Sequence, residues 1–118
     1  MSKESRHVKP ENIDTFNAIL KFHYYEANQT PETATIAFVA LQEALKRESY
    51  SGIATAMLAC MHCNQYLLDV SDAEYSHEQL SILSEKAFKL DPYSLTVRII
   101  IAIKYFINND KMIVGMIF

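Results

Sequence analysis

The chain has 118 residues, is 50% hydrophobic and 21% charged, and contains only two Gly, three Pro and two Cys. That length fits a single domain with a substantial core. So few turn formers exclude a many-stranded sandwich or barrel, and the composition excludes a disordered, collagen-like or disulfide-dense chain. The net charge is −3, and the eleven Lys and Arg never form a run longer than two. Electrostatic binding of nucleic acid is therefore disfavoured. The first residues, Met1 to His7, are polar and do not resemble a signal peptide. The longest apolar runs, Ile99–Ile103 and Met112–Phe118, fall far short of the ~20 residues that span a bilayer. A cytoplasmic, all-α protein with reduced thiols is the expectation.

In chain order, residues 1–9 read as a flexible N-terminus. From Pro10 to about Ala27 the residues Ile13, Phe16, Ile19, Leu20, Phe22 and Tyr24 include the three- and four-residue spacings of a helical apolar stripe. Thr30 is a good N-cap, with Pro31 at the first helical position and Glu32 beside the positive end of the helix dipole. The helix it opens carries Ile36, Ala37, Val39, Ala40, Leu41, Ala44 and Leu45. A third helix is expected from about Ser51 to Leu68, on Ile53, Met57, Leu58, Met61 and Leu67. Asp69–Tyr75 is acidic and lacks a period, so 69–75 reads as a long inter-helix loop. Ser76 and Gln79 have capping-box spacing and predict a fourth helix through Leu90. Asp91-Pro92 is expected to stop that helix and start the fifth, which reaches about Ile107. An apolar tail, 111–118, follows.

Sliding the chain over itself exposes an internal repeat. At an offset of 43 residues, Ala44-Leu45-Lys46-Arg47-Glu48-Ser49-Tyr50-Ser51 falls on Ala87-Phe88-Lys89-Leu90-Asp91-Pro92-Tyr93-Ser94. Without a gap, Met57-Leu58-Ala59 then falls on Ile100-Ile101-Ala102, and His62 on Tyr105. Repeats of this length point to solenoids, in which each helical pair buries its faces against its neighbours. The expected architecture is an α–α superhelix, a right-handed solenoid of about two and a half helix-turn-helix repeats, forming one domain over residues 1–118.

Ala87-Phe88-Lys89-Leu90-Asp91-Pro92, followed by Ile101-Ala102 and Tyr105, resembles the tetratricopeptide repeat: a small residue, a turn-closing Pro, an apolar–small pair, then an aromatic. The earlier copy keeps Ala44, Leu58 and Ala59, with Ser49 in place of the Pro and His62 in place of the aromatic. The stretch Phe22-His23-Tyr24-Tyr25-Glu26-Ala27-Asn28-Gln29-Thr30-Pro31-Glu32 is similar to the opening of a helical-repeat class. Members of that class lie C-terminal to winged-helix or nucleotide-cyclase domains in bacterial signalling proteins. Neither of those domains is present in this chain. The resemblance implies a non-catalytic module that binds a protein or peptide in a groove lined by the first helix of each pair. Carried over position by position, that groove includes Asn17, Lys21 and Tyr24 on the first helix. It continues through Ile53, Ala56 and Cys60 on the third, and Ile99, Ile103 and Phe106 on the fifth. The clamp of that family for a C-terminal carboxylate needs Lys, Asn and Arg spread over three helices, and the later helices here offer Ala, Cys and Ile. A regulatory or sensory segment that binds a small ligand in the same groove is the alternative.

Residues with chemical potential are few. Cys60-Met61-His62-Cys63 contains a C-x-x-C, but mid-helix and with no strand before it, so packing is favoured over redox or zinc chemistry. His7, His23, His62 and His77 share no spacing. Asp69, Asp72, Glu74 and Glu78 lack the alternation and the Gly of a calcium loop. No metal, cofactor or enzymatic activity is expected. The uncharged tail Met112–Phe118 stands where another helix is due. Either the chain is a fragment of a longer solenoid, or the tail packs back on the fifth helix or into a second copy; the last reading gives a homodimer through the fifth helix and the tail residues Met112, Ile113, Met116 and Phe118.

Overall fold

The computed structural model describes residues 13–67 and 73–109. Within them the chain is all-α: α1 (Ile13–Ala27), α2 (Pro31–Arg47), α3 (Gly52–Leu67), α4 (Ala73–Leu90) and α5 (Leu95–Asn109). The N-terminal stretch 1–9 and the tail 111–118, with Met112, Ile113, Met116 and Phe118, lie outside the described residues.

Local chemistry accounts for the start of α2 and for the turns that join α2 to α3 and α4 to α5. At the start of α2, Thr30 Oγ1 accepts from the Thr33 amide at 3.1 Å and Thr33 Oγ1 accepts from the Thr30 amide at 3.0 Å, a reciprocal cap. Pro31 occupies the first turn, Glu32 meets the positive end of the helix dipole, and Lys46 and Arg47 meet the negative end.

The 43-residue repeat reappears as two hydrogen-bonded turns of the same construction. In the first, the Glu48 amide donates to Ala44 O at 2.8 Å and Ser51 N to Glu48 O at 3.3 Å; Ser51 Oγ then accepts from Ala54 N at 3.1 Å. In the second, the Asp91 amide donates to Ala87 O at 2.9 Å and Ser94 N to Asp91 O at 3.3 Å; Ser94 Oγ accepts from Val97 N at 3.3 Å. Ser51 and Ser94 are thus equivalent N-caps. The fifth helix accordingly begins at Leu95, after the Ser94 cap, rather than at Asp91-Pro92.

A second boundary also differs from expectation. α4 begins at Ala73, so Ala73, Glu74 and Tyr75 belong to the helix and not to the expected loop 69–75. Ser76 is not its cap. Ser76 is buried and its hydroxyl donates to Gln65 Oε1 on α3 at 3.1 Å, while the neighbouring Tyr75 ring packs against His62. Tertiary contacts with α3 thus hold an additional turn that local capping signals do not reveal.

α1 pairs with α2 and α3 with α4, and α3 also packs against α1, α2 and α5. Two apolar clusters meet on it. The first joins Ala18, Phe22 and Tyr25 of α1, Ala37, Leu41 and Ala44 of α2, and Ala54, Met57, Leu58 and Met61 of α3. The second joins Ala56, Ala59 and Cys63 of α3 to Leu80, Ala87, Val97 and Ile100. α3 is therefore apolar nearly all round, as a helix enclosed by others must be. The alanines let the helix axes approach closely. Polar ties reinforce the packing: Asn64 Nδ2 donates to Tyr25 Oη at 2.9 Å, and the buried Thr15 hydroxyl donates to the buried Glu48 carboxylate in the first turn.

Candidate functional site

On α1, Asp14, Asn17, Lys21 and Tyr24 recur at three- and four-residue spacing and so share one face. On α2, Ala37, Leu41 and Ala44 are buried, which turns Ile36, Val39 and Glu43 the other way. Together these faces form a groove of about 560 Å³ with Ala18, Ala40 and Ala44 among its lining. A second hollow of about 360 Å³ continues it past Leu20, Tyr24 and Thr33, sharing Asn17, Lys21 and Ile36 with the first. Among the described residues, the lining comes from α1 and α2. Its apolar members are well exposed: Leu20 49%, Tyr24 62%, Ile36 53% and Val39 48%.

The groove is apolar along its length and ionic at one end. Arg47 Nη1 pairs with Asp14 Oδ2 at 2.7 Å, bridging α2 and α1, and Lys46 pairs with Glu43 at 3.3 Å. Exposed pairs of this kind add little stability, roughly 0–1 kcal/mol each, so their main effect is to orient the charges. Lys21 stands where the two hollows join, with the Asn17 amide one turn before it.

The structure thus brings Asn17, Lys21 and Tyr24 together. It does not add Ile99, Ile103 and Phe106 to the same groove. These lie on α5, where Ile99 is exposed, Phe106 is half-buried, and the half-buried Ile103 packs on the second core cluster. The intermediate positions on α3 also point elsewhere: Ala56 is fully buried in the second cluster, Ile53 packs on the first, and Cys60 touches both. The groove's other wall, Ile36 and Val39 with Glu43 and Arg47, was missed by sequence reasoning that followed only the first helix of each pair. A signal existed, since Ile36 and Val39 are apolar residues off the Ala37–Leu41–Ala44 stripe.

Cys60 and Cys63 both pack against the second core cluster. Cys63 is buried, and burial pushes its thiol up. The Cys60 thiol is pushed up to about 12, first by burial and then by Cys63 and Glu26 nearby. Both stay protonated near neutrality, and a protonated thiol is a poor nucleophile and ligand. His62 is 4% exposed, with its ring edge-on to Phe38 at 5.2 Å and to Tyr75 at 5.9 Å. Burial pushes its pKa down, and its Nδ1 has no hydrogen-bond partner. It occupies the repeat position of an aromatic and packs as one. Among the described residues no group of three or more His, Cys, Asp or Glu is placed to hold a metal ion, and no helix is long and apolar enough to cross a membrane. Compared with known proteins, the chain matches no family model, no curated protein and no solved structure.

Proposed function

We propose that this protein is a non-catalytic interaction module, a short right-handed α–α superhelix of the tetratricopeptide kind, that takes an amphipathic peptide or helix of a protein partner in the α1–α2 groove. One observation carries the reading: four large apolar side chains, Leu20, Tyr24, Ile36 and Val39, stand about half exposed along one continuous hollow with Lys21 at its middle. Isolated exposed apolar residues are ordinary, but a row of them rimmed by charge is the surface of a docking site. The fitting ligand has apolar residues at i and i+3 or i+4 and a carboxylate placed to meet Lys21. The resemblance to repeat regions of bacterial signalling proteins suggests a role in signalling or transcriptional regulation in the cytoplasm.

A photo-crosslinking residue placed at Ile36, with one at the exposed Ile82 of α4 as control, tests this in cells. Adducts with a discrete partner are expected from position 36 and not from 82, and Lys21→Glu or Tyr24→Ala should abolish them. Equal adducts at the two positions, or none at 36, would overturn the proposal. Adducts unaffected by Lys21→Glu, together with a metabolite-dependent rise in Tm, would favour a small-ligand site in the groove instead.

A further inference from the structure

The outward side of α1 carries the features of the ligand that the α1–α2 groove fits. Phe16, Leu20 and Tyr24 recur every fourth residue, and Phe16 is as open as the other two at 58% exposed. Such a stripe is the anchor set of an amphipathic helix. The charges around the groove also balance, Asp14 and Glu43 against Lys21 and Arg47. A face with two charges of each sign can meet its own copy with unlike charges opposed. The register follows from helix geometry. α1 and α2 are paired and joined by three residues, so they run antiparallel, and the Asp14–Arg47 pair marks a common level. From it Lys21 lies seven residues along α1, about 10 Å, and Glu43 four residues back along α2, about 6 Å. A two-fold axis crossing the face midway, at about 8 Å, sets each Lys21 level with Glu43 of the second copy. The apolar stripe has its own midpoint at Leu20, about 9 Å from the same level. Charge and apolar pattern thus select the same register to within about 1 Å.

We infer that the partner of this face is a second copy of the chain. The two α1–α2 faces meet about a two-fold axis with α1 antiparallel to α1. Leu20 then meets Leu20, Phe16 of each copy meets Tyr24 of the other, and Lys21 of each pairs with Glu43 of the other. The inference rests on the reading of this face as a docking site and names its occupant. Glu43 is not closed to a second cation by Lys46: that pair spans 3.3 Å between side chains 72% and 59% exposed, and a carboxylate accepts several hydrogen bonds. Each copy therefore supplies both requirements of the other, apolar residues four apart and a carboxylate for Lys21.

The test is a charge swap on the full chain, read by sedimentation velocity from micromolar to near-millimolar protein. The native chain should dimerise. Lys21→Glu and Glu43→Lys each bring like charges together twice across the axis, so each should raise the dimer Kd by about 100-fold or more. Mixing the two variants opposes unlike charges again and should restore a dimer within about tenfold of the native Kd, as should both changes in one chain. Lys86→Glu, an equal change of charge at an exposed position of α4, should leave the Kd unchanged. A native chain that stays monomeric overturns the inference. So do single variants that dimerise as tightly as the native chain, or a mixture and a double variant that stay monomeric. A monomeric chain that still crosslinks another protein from position 36 in cells overturns this inference and leaves the groove reading standing. A monomeric chain with no such adduct overturns both.

Discussion

Gly52→Ala is the most discriminating single change in this fold. Gly52 opens α3 directly after its Ser51 cap, and it is buried because the second turn packs on it. A Cβ built at Gly52 would lie 2.6 Å from Asp91 Cβ, with Asp91 N at 3.3 Å and Ala87 O at 3.4 Å. The first distance is more than an ångström below ordinary carbon–carbon contact, so the turn must move. Ala is the better helix former by about 0.5–1 kcal/mol in a helix interior, and by less in a first turn. Forcing a methyl into a close-packed contact costs about 1–3 kcal/mol. The steric effect wins, and a net loss of about 1–2 kcal/mol follows. For 118 residues the unfolding entropy is roughly 250 cal/mol/K, so Tm should fall by about 4–8 °C. The assay is thermal unfolding of Gly52→Ala, Asp91→Gly and the pair. Removing the Asp91 Cβ leaves only the two milder contacts, so Gly52→Ala should cost little or become favourable in the Asp91→Gly background. A stabilised Gly52→Ala, or the same loss in both backgrounds, would refute the reasoning.

Other outcomes follow from the same geometry. His62 is held neutral by burial, so an unfolded chain binds its proton more readily than the folded one; stability is full above the ordinary imidazole value of 6.5 and declines as pH falls below it, by at most about 1.4 kcal/mol per pH unit. His62→Phe should flatten that acid limb in urea titrations run between pH 7.5 and 5. Ser51→Ala and Ser94→Ala, which remove equivalent caps, should each cost about 1 kcal/mol in denaturant melts, and unequal losses would break the equivalence of the two turns. Glu85 bonds the buried Lys104 ammonium, which holds the carboxyl below its usual range, so this contribution is lost as pH falls through the acid range. Glu85→Gln should lower Tm in the native chain and change nothing in a Lys104→Met background, Met being the residue at the repeat-equivalent position 61. Both thiols should resist alkylation at pH 8 until the chain unfolds, as followed by mass spectrometry.

Much of the architecture was legible in the sequence because it is written in short-range chemistry. The Thr30–Pro31 start depends on residues within one turn of each other, and the 43-residue offset emerges from comparing the chain with itself. What escaped depends on distant partners. Ser76 has ideal cap spacing with Gln79, yet Gln65 on α3 takes its hydroxyl and the helix begins three residues earlier. Lys104 sits at a core position that no hydrophobic pattern would assign to it. It is tolerated there because Glu85 and the face of Tyr105, 4.7 Å from the ammonium, receive the charge. The candidate site was half legible for the same reason. The α1 spacing of Asn17, Lys21 and Tyr24 identifies a shared face, but only the packing of α2 against α1 shows that Ile36 and Val39 complete it.

The two helical pairs differ in a way that bears on function. Where the second turn seats on α3, position 52 is Gly, because nothing larger leaves room for Asp91. Its repeat counterpart on α5 is Leu95, 73% exposed. The repeat geometry is therefore interrupted at the start of α5, while its aromatic positions persist toward the helix's other end at Tyr105. At the opposite end of the array, the α1–α2 pair keeps its apolar face and adds Lys21, Asn17 and the Arg47–Asp14 pair around it. The α1–α2 face thus combines exposed apolar residues with polar groups that can give a partner orientation and register. That asymmetry makes the α1–α2 groove, rather than α5, the surface from which to seek the partner.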